Sequence, residues 1–143
     1  MKKLIELFIL FLTGGVIYFC AEMLIRGRSH WSMFICGGIC FLAIGGINEN
    51  LDYDIPLVEQ MIYGALAITA VEFVFGCIFN LWLGLGIWDY SNLPGNVLGQ
   101  ICPQFTALWF LVSGVGIVLD DAIRWKLFGE EKPHYQIFWG RRK

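Results

Sequence analysis

"LIELFILFLTGGVIYFCAEMLI", residues 4–25, is a continuous apolar run broken by only two carboxyl side chains, Glu6 and Glu22. A helix needs about 20 residues, at about 1.5 Å of rise each, to cross the hydrocarbon core of a bilayer. This run is long enough. Lys2 and Lys3 precede it, as basic residues precede a secretory leader. However, the run is longer than a leader's usual apolar region and carries no A-x-A-like cleavage signal, and Tyr18-Phe19-Cys20 is a poor lipoprotein processing site. It reads as a retained first span.

Three further apolar runs follow. Residues 31–47 are short and rich in small side chains (Gly37, Gly38, Gly45, Gly46), and just long enough to cross. Residues 57–82 and 97–119 complete the set. The sequence therefore predicts an all-α integral membrane protein with four transmembrane helices, spans 4–25, 31–47, 57–82 and 97–119. Residues 1–143 form a single membrane domain in this reading, with 120–143 as its tail.

Composition agrees. Of 143 residues, 57% are hydrophobic and 15% charged, where soluble domains are about a quarter charged. A net charge of −2 gives no ground for a nucleic-acid partner. The five cysteines (Cys20, Cys36, Cys40, Cys77, Cys102) all lie in apolar runs, where a free thiol packs as a small hydrophobe. Cys36 and Cys40 are one helical turn apart, but no nearby His, Asp or third Cys completes a ligand set, so neither a metal nor a cofactor is expected.

Four spans put both termini on one side, together with Lys2, Lys3, Arg124, Lys126, Lys132, Arg141, Arg142 and Lys143. The other side has Arg26 and Arg28. The positive-inside rule then places both termini in the cytoplasm. It puts the acidic turn 48–54 inside, and the 26–32 and 88–103 loops outside. Residues 120–128, charged but carrying Trp125, Leu127 and Phe128, read as a short helix on the inner surface.

The two halves resemble one another, which suggests two tandem two-helix repeats. Each has an intramembrane Glu (Glu22, Glu72), a Trp-led outer loop (His30-Trp31-Ser32; Trp88-Asp89-Tyr90-Ser91) and a G-x-I-C sequence opening the next span (Gly37–Cys40; Gly99–Cys102).

Glu72 and Glu22 are the sharpest anomalies, because a charge at the bilayer centre costs about 2.5–3.5 kcal/mol on insertion scales. Glu72 has no basic residue within a helical turn and is either a hydrogen-bonded structural carboxyl or a cation or proton site. Glu22 has Arg26 at i+4, so a local ion pair competes with a functional role. Glu6 and Glu59, near span ends, can reach water. Arg26, Arg28 and His30 break the positive-inside pattern. They suit anion recognition, headgroup anchoring beside Trp31, or pairing with Glu22, Glu72 or Asp89. Ser29, His30 and Asp89 have no spacing specific to catalysis.

The second outer stretch, "WDYSNLPGNVLGQICP" (residues 88–103), mixes turn and site residues. Leu93-Pro94-Gly95 is turn chemistry, and Asn96 is expected to cap the fourth helix. Gly99 is expected to permit close helix packing, with Pro103 in the first turns. Trp88 and Tyr90 suit the interfacial aromatic belt. Asp89, Ser91 and Gln100 remain as candidate polar-site residues.

The combination of R-G-R-S-H-W-S-M (residues 26–33), Glu72 and W-D-Y-S-x-x-P-G-N-x-x-G-Q-I-C-P resembles the small bacterial membrane proteins known as type IV, CmpB-like ABC transporter permeases. The likeness covers nearly the whole chain. It implies a polytopic membrane protein with a transport role, and brings no substrate or catalytic residues with it. The chain has no Walker A loop, so an ATPase would be a separate chain. Turn 48–54 is very short for a coupling helix, and four spans need a second copy or another membrane subunit to enclose a pathway. The resulting expectation is a membrane component, surrounded by lipid, that binds or moves a small solute or ion. The alternatives are a structural or regulatory subunit, and an enzyme acting on headgroups through Arg26, Arg28, His30 and Asp89.

Overall fold

The computed structural model describes residues 1–51 and 55–140. Part of the acidic turn and the basic residues at 141–143 lie outside the described residues. Four apolar helical stretches are long enough to cross a membrane: Lys2–Arg26, Trp31–Asn50, Leu57–Trp82 and Pro103–Phe128. Among the described residues there is no strand, only an isolated bridge between Val97 and Ile101. The chain is an all-helical, multi-pass membrane protein.

The first helix, α1 (Lys2–Arg26), stops at Gly27, whose left-handed backbone (φ 69°) lets its amide reach the carbonyl of Met23. Three residues later His30 caps α2 (Trp31–Gly45), its Nδ1 accepting from the Ser32 amide at 3.2 Å. α2 passes through Gly46 into the short α3 (Ile47–Asn50). α4 (Leu57–Phe75) widens into a π-helical segment at Gly76–Trp82, and α5 (Pro103–Ile123) does so at Arg124–Phe128.

The helices pack as two hairpins, α1 on α2 and α4 on α5, joined through α2. Between α1 and α2 the fit is backbone to backbone. A Cβ on Gly14 would strike Phe41 and the carbonyl of Gly37, and one on Gly38 would strike the Phe11 ring. Leu10, Phe41, Ile44, Ala65, Ile68, Trp109 and Ile117 fill the shared core. Large apolar side chains cover the outside, Leu24 being 87% exposed and Val115 72%. In water this would be a liability; against lipid it is expected.

Several expectations change. The fourth helix begins at Pro103, not at residue 97, because residues 97–102 turn back on themselves: Leu98 and Gly99 adopt positive φ (54° and 70°). Asn96 therefore caps no helix. Its side chain knits the loop instead, accepting from the Gly99 amide and donating to the carbonyls of Ser91 and Leu93. Gly99 likewise serves a turn, not helix packing. Pro103 does stand at the helix start, where its missing amide is harmless. Residues 120–128 form no separate surface helix; they continue α5, with Asp120, Asp121 and Arg124 buried. Nor do the G-x-I-C sequences correspond, since Gly37–Cys40 lies inside α2 while Gly99–Cys102 precedes α5.

Candidate functional site

Glu72 lies on the face of α4 that also carries Gln60, Gly64, Ala65 and Ile68, spaced so that all point into the bundle. Its carboxyl is 5% exposed. One oxygen, Oε1, accepts from the Tyr90 hydroxyl at 2.7 Å, and Oε2 accepts from the Trp109 indole Nε1 at 2.9 Å. No Lys, Arg or His forms an ion pair with it among the described residues. The donors come from two sides: Trp109 from α5, one turn and a half along from Pro103, and Tyr90 from the loop between α4 and α5. Phe105 stacks on Tyr90 (centroids 4.5 Å apart) and leans on Trp109, so aromatic rings wall the carboxyl on the loop side.

Tyr90 thus turns its hydroxyl inward. Burial and the nearby Glu72 carboxyl push its phenol above the ordinary tyrosine range, which keeps it a hydrogen-bond donor. Trp88 is turned inward as well. It is 6% exposed, and its indole donates to the carbonyl of Gln100. Trp31 alone of the three is well exposed.

Gln100 is buried under the same loop. Its Oε1 accepts from Asn80 at 2.8 Å and its Nε2 donates to the Leu98 carbonyl. Asn80, on the π-helical extension of α4, also accepts from the Ile87 amide at 2.6 Å. That extension brings Asn80 round to the loop, and Gly76 leaves room for the Gln100 side chain. Irregular backbone that is buried must find its partners inside the protein, and Asn80, Trp88, Asn96 and Gln100 supply them.

Asp89 and Ser91 stand apart from Glu72. They pair with each other through the Ser91 hydroxyl and the Ser91 amide, and these donors hold the Asp89 carboxyl below the usual carboxylate range. Glu22 pairs with Arg26 at 2.9 Å, and Arg26 reaches on to the Ile87 carbonyl at 2.8 Å, tying α1 to the far loop. His30 is occupied as the cap of α2 and contacts the Ser32 hydroxyl. Each of His30 and Asp89 thus closes its own local turn.

The largest buried charge cluster lies at the opposite end, beside the termini. Arg124 joins Glu6 (2.5 Å) and Asp120 (2.6 Å), all three almost fully buried, and Asn48 donates to Asp121 at 2.7 Å. Little in the sequence marks it, because charged residues at span ends read as ones that can reach water. The one available signal was spacing: Trp109, Ser113, Ile117, Asp120 and Arg124 share a helical face.

One protein-family model, ABC_trans_CmpB, described as "Putative ABC-transporter type IV", matches residues 5–133. No curated protein and no solved structure matches the chain.

Proposed function

The chain belongs to the ABC_trans_CmpB family, and from that premise we propose that it is a transporter component whose working group is the Glu72 carboxyl. The observation that carries this reading is a buried carboxyl held by two neutral donors with no cation paired to it among the described residues. Two neutral donors stabilise the anion without neutralising it, which leaves the group free to exchange a proton or a small cation. Tyr90 makes the loop part of that group, so its bond to Glu72 acts as the closure on the loop side. Asp89, Ser91, Gln100 and the Glu22–Arg26 pair hold the loop in place around it.

In this reading both termini face the cytoplasm of a bacterial plasma membrane, and the loop end opens outward. Residues 1–143 act as one membrane domain that associates with a second copy or another membrane subunit. A separate ATPase chain would supply any ATP hydrolysis. Uptake or binding of candidate cations and small solutes by proteoliposomes tests the central claim. Glu72→Gln, which keeps the shape of the side chain but replaces one of the two acceptor oxygens by an NH2 group, is expected to abolish uptake while the protein still inserts. Undiminished uptake would remove Glu72 from the mechanism.

A second reading, a structural or regulatory subunit, draws on the completeness of the hydrogen bonding at Gln100 and Glu72. It predicts that Glu72→Gln mainly lowers folding yield or co-purification of a partner.

A further inference from the structure

Beside the termini, a cavity of about 240 Å³ is lined by Asn48, Glu49, Asp121, Arg124, Glu130 and Glu131. Among the described residues, two permanent cations form ion pairs around this region. Arg124 bridges Glu6 and Asp120, while Lys3 stands 2.6 Å from Glu6, 3.2 Å from Glu130 and 3.8 Å from Glu49. Carboxyl groups therefore outnumber fixed cations around the cavity among the described residues.

Asn48 supplies an independent observation. It is 4% exposed and lines the cavity; its Nδ2 donates to Asp121, and its carbonyl oxygen Oδ1 has no donor among the described residues. A buried amide oxygen is rarely left without a partner. An orphaned neutral acceptor beside Glu49, Glu130 and Glu131 is a surface made for something that is positively charged and donates hydrogen bonds.

Size and spacing narrow the choice. Among the described residues, no three His, Cys, Asp or Glu side chains are grouped to hold a bare metal ion. At about 30 Å³ per water, the cavity has room for about eight waters, enough for one ion with a first shell of six. Mg²⁺ is octahedral and dehydrates reluctantly, so it commonly binds through its waters. We propose that this cavity binds a hydrated divalent cation of the Mg²⁺ type, with the carboxylates and Asn48 Oδ1 accepting hydrogen bonds from its bound water. This site is separate from Glu72 and stands or falls independently of the transport reading.

The test uses the full chain in nanodiscs of zwitterionic lipid, titrated with MgCl₂ at constant ionic strength and followed by thermal unfolding. Mg²⁺ is expected to raise the unfolding midpoint, and hexamminecobalt(III), which matches hydrated Mg²⁺ in size but cannot shed its ligands, is expected to do the same. The double variant Glu130→Gln, Glu131→Gln is expected to weaken the apparent Mg²⁺ affinity at least tenfold. Both residues lie beyond α5 and are partly exposed, so the fold survives their change; Glu49→Gln provides a second variant. Four results would each overturn the proposal: an equal midpoint shift with NaCl, no effect of hexamminecobalt, tighter binding of putrescine than of Mg²⁺, or unchanged affinity in both variants.

Discussion

The two ends of the bundle each bury carboxyl groups, in opposite company. At the loop end Glu72 faces a phenol and an indole, both neutral. At the terminal end Glu6 and Asp120 share one guanidinium, and Glu6 has the Lys3 ammonium as well. A carboxylate locked to Arg is a fixture, because losing its proton partner or its cation leaves a bare charge in a low-dielectric interior. A carboxylate held by neutral donors can change its charge while its neighbours stay put. In the proposed function the same residue type therefore builds a staple at one end and an exchangeable group at the other.

The staple should break hardest. Arg124→Met strands Asp120 and leaves Glu6 with Lys3 alone, and a loss of about 3–5 kcal/mol is expected for a buried pair deprived of one partner. Reversible unfolding in mixed detergent and denaturant measures it. The triple variant Glu6→Gln, Asp120→Asn, Arg124→Met should regain most of that loss, since it removes the stranded charges as well; a triple variant as unstable as the single one would mean that packing, not charge, dominates there.

Next comes Tyr90→Phe, which takes one donor from Glu72 and leaves the ring stacked on Phe105. A cost of about 1–3 kcal/mol is expected for a buried acceptor losing its donor. If Glu72 is an exchangeable group, this variant should alter uptake more than it alters stability, and the two assays run side by side compare those effects.

Asn96→Ala should cost less, about 1 kcal/mol for bonds that are partly open to solvent. It loosens the loop without touching Glu72, so a weaker uptake phenotype than that of Tyr90→Phe is expected in the same liposome assay.

The smallest effect concerns Asp89. Its folded carboxyl titrates below the usual range, so its bonds to Ser91 contribute fully above the ordinary carboxylate pKa and are lost as pH falls through the lower folded value. Trp88 fluorescence should report loop loosening in that acid window, and Asp89→Asn should flatten the dependence.

How much of this was legible differs between the ends as well. The four spans were readable from apolar length alone, as was the anomaly of Glu72, because hydrocarbon penalises charge wherever it falls. Its partners were not. Tyr90 looked like an interfacial aromatic and Trp109 was one ring in an apolar run, since hydropathy records that a side chain is greasy and not where its single N–H or O–H points. The start of α5 was misplaced because Val97 and Leu98 are apolar, although Leu98 and Gly99 turn through positive φ. At the terminal end, Arg124 was counted as a topology signal and Glu6 as a solvated span end. Nothing local distinguishes such residues from ones that meet across 118 positions of chain.

The glycine seam between α1 and α2 has a mechanical consequence. Where Gly14 meets Gly37 and Gly15 meets Phe34, the two backbones are too close to slide or roll past one another. That hairpin is packed as a single plate. Any opening stroke must therefore run along the seam where α2 meets α4 and α5, turning one plate against the other like the leaves of a hinge. The Arg26 link to Ile87 spans that seam at the loop end, and the Arg124–Glu6 bond pins it at the other.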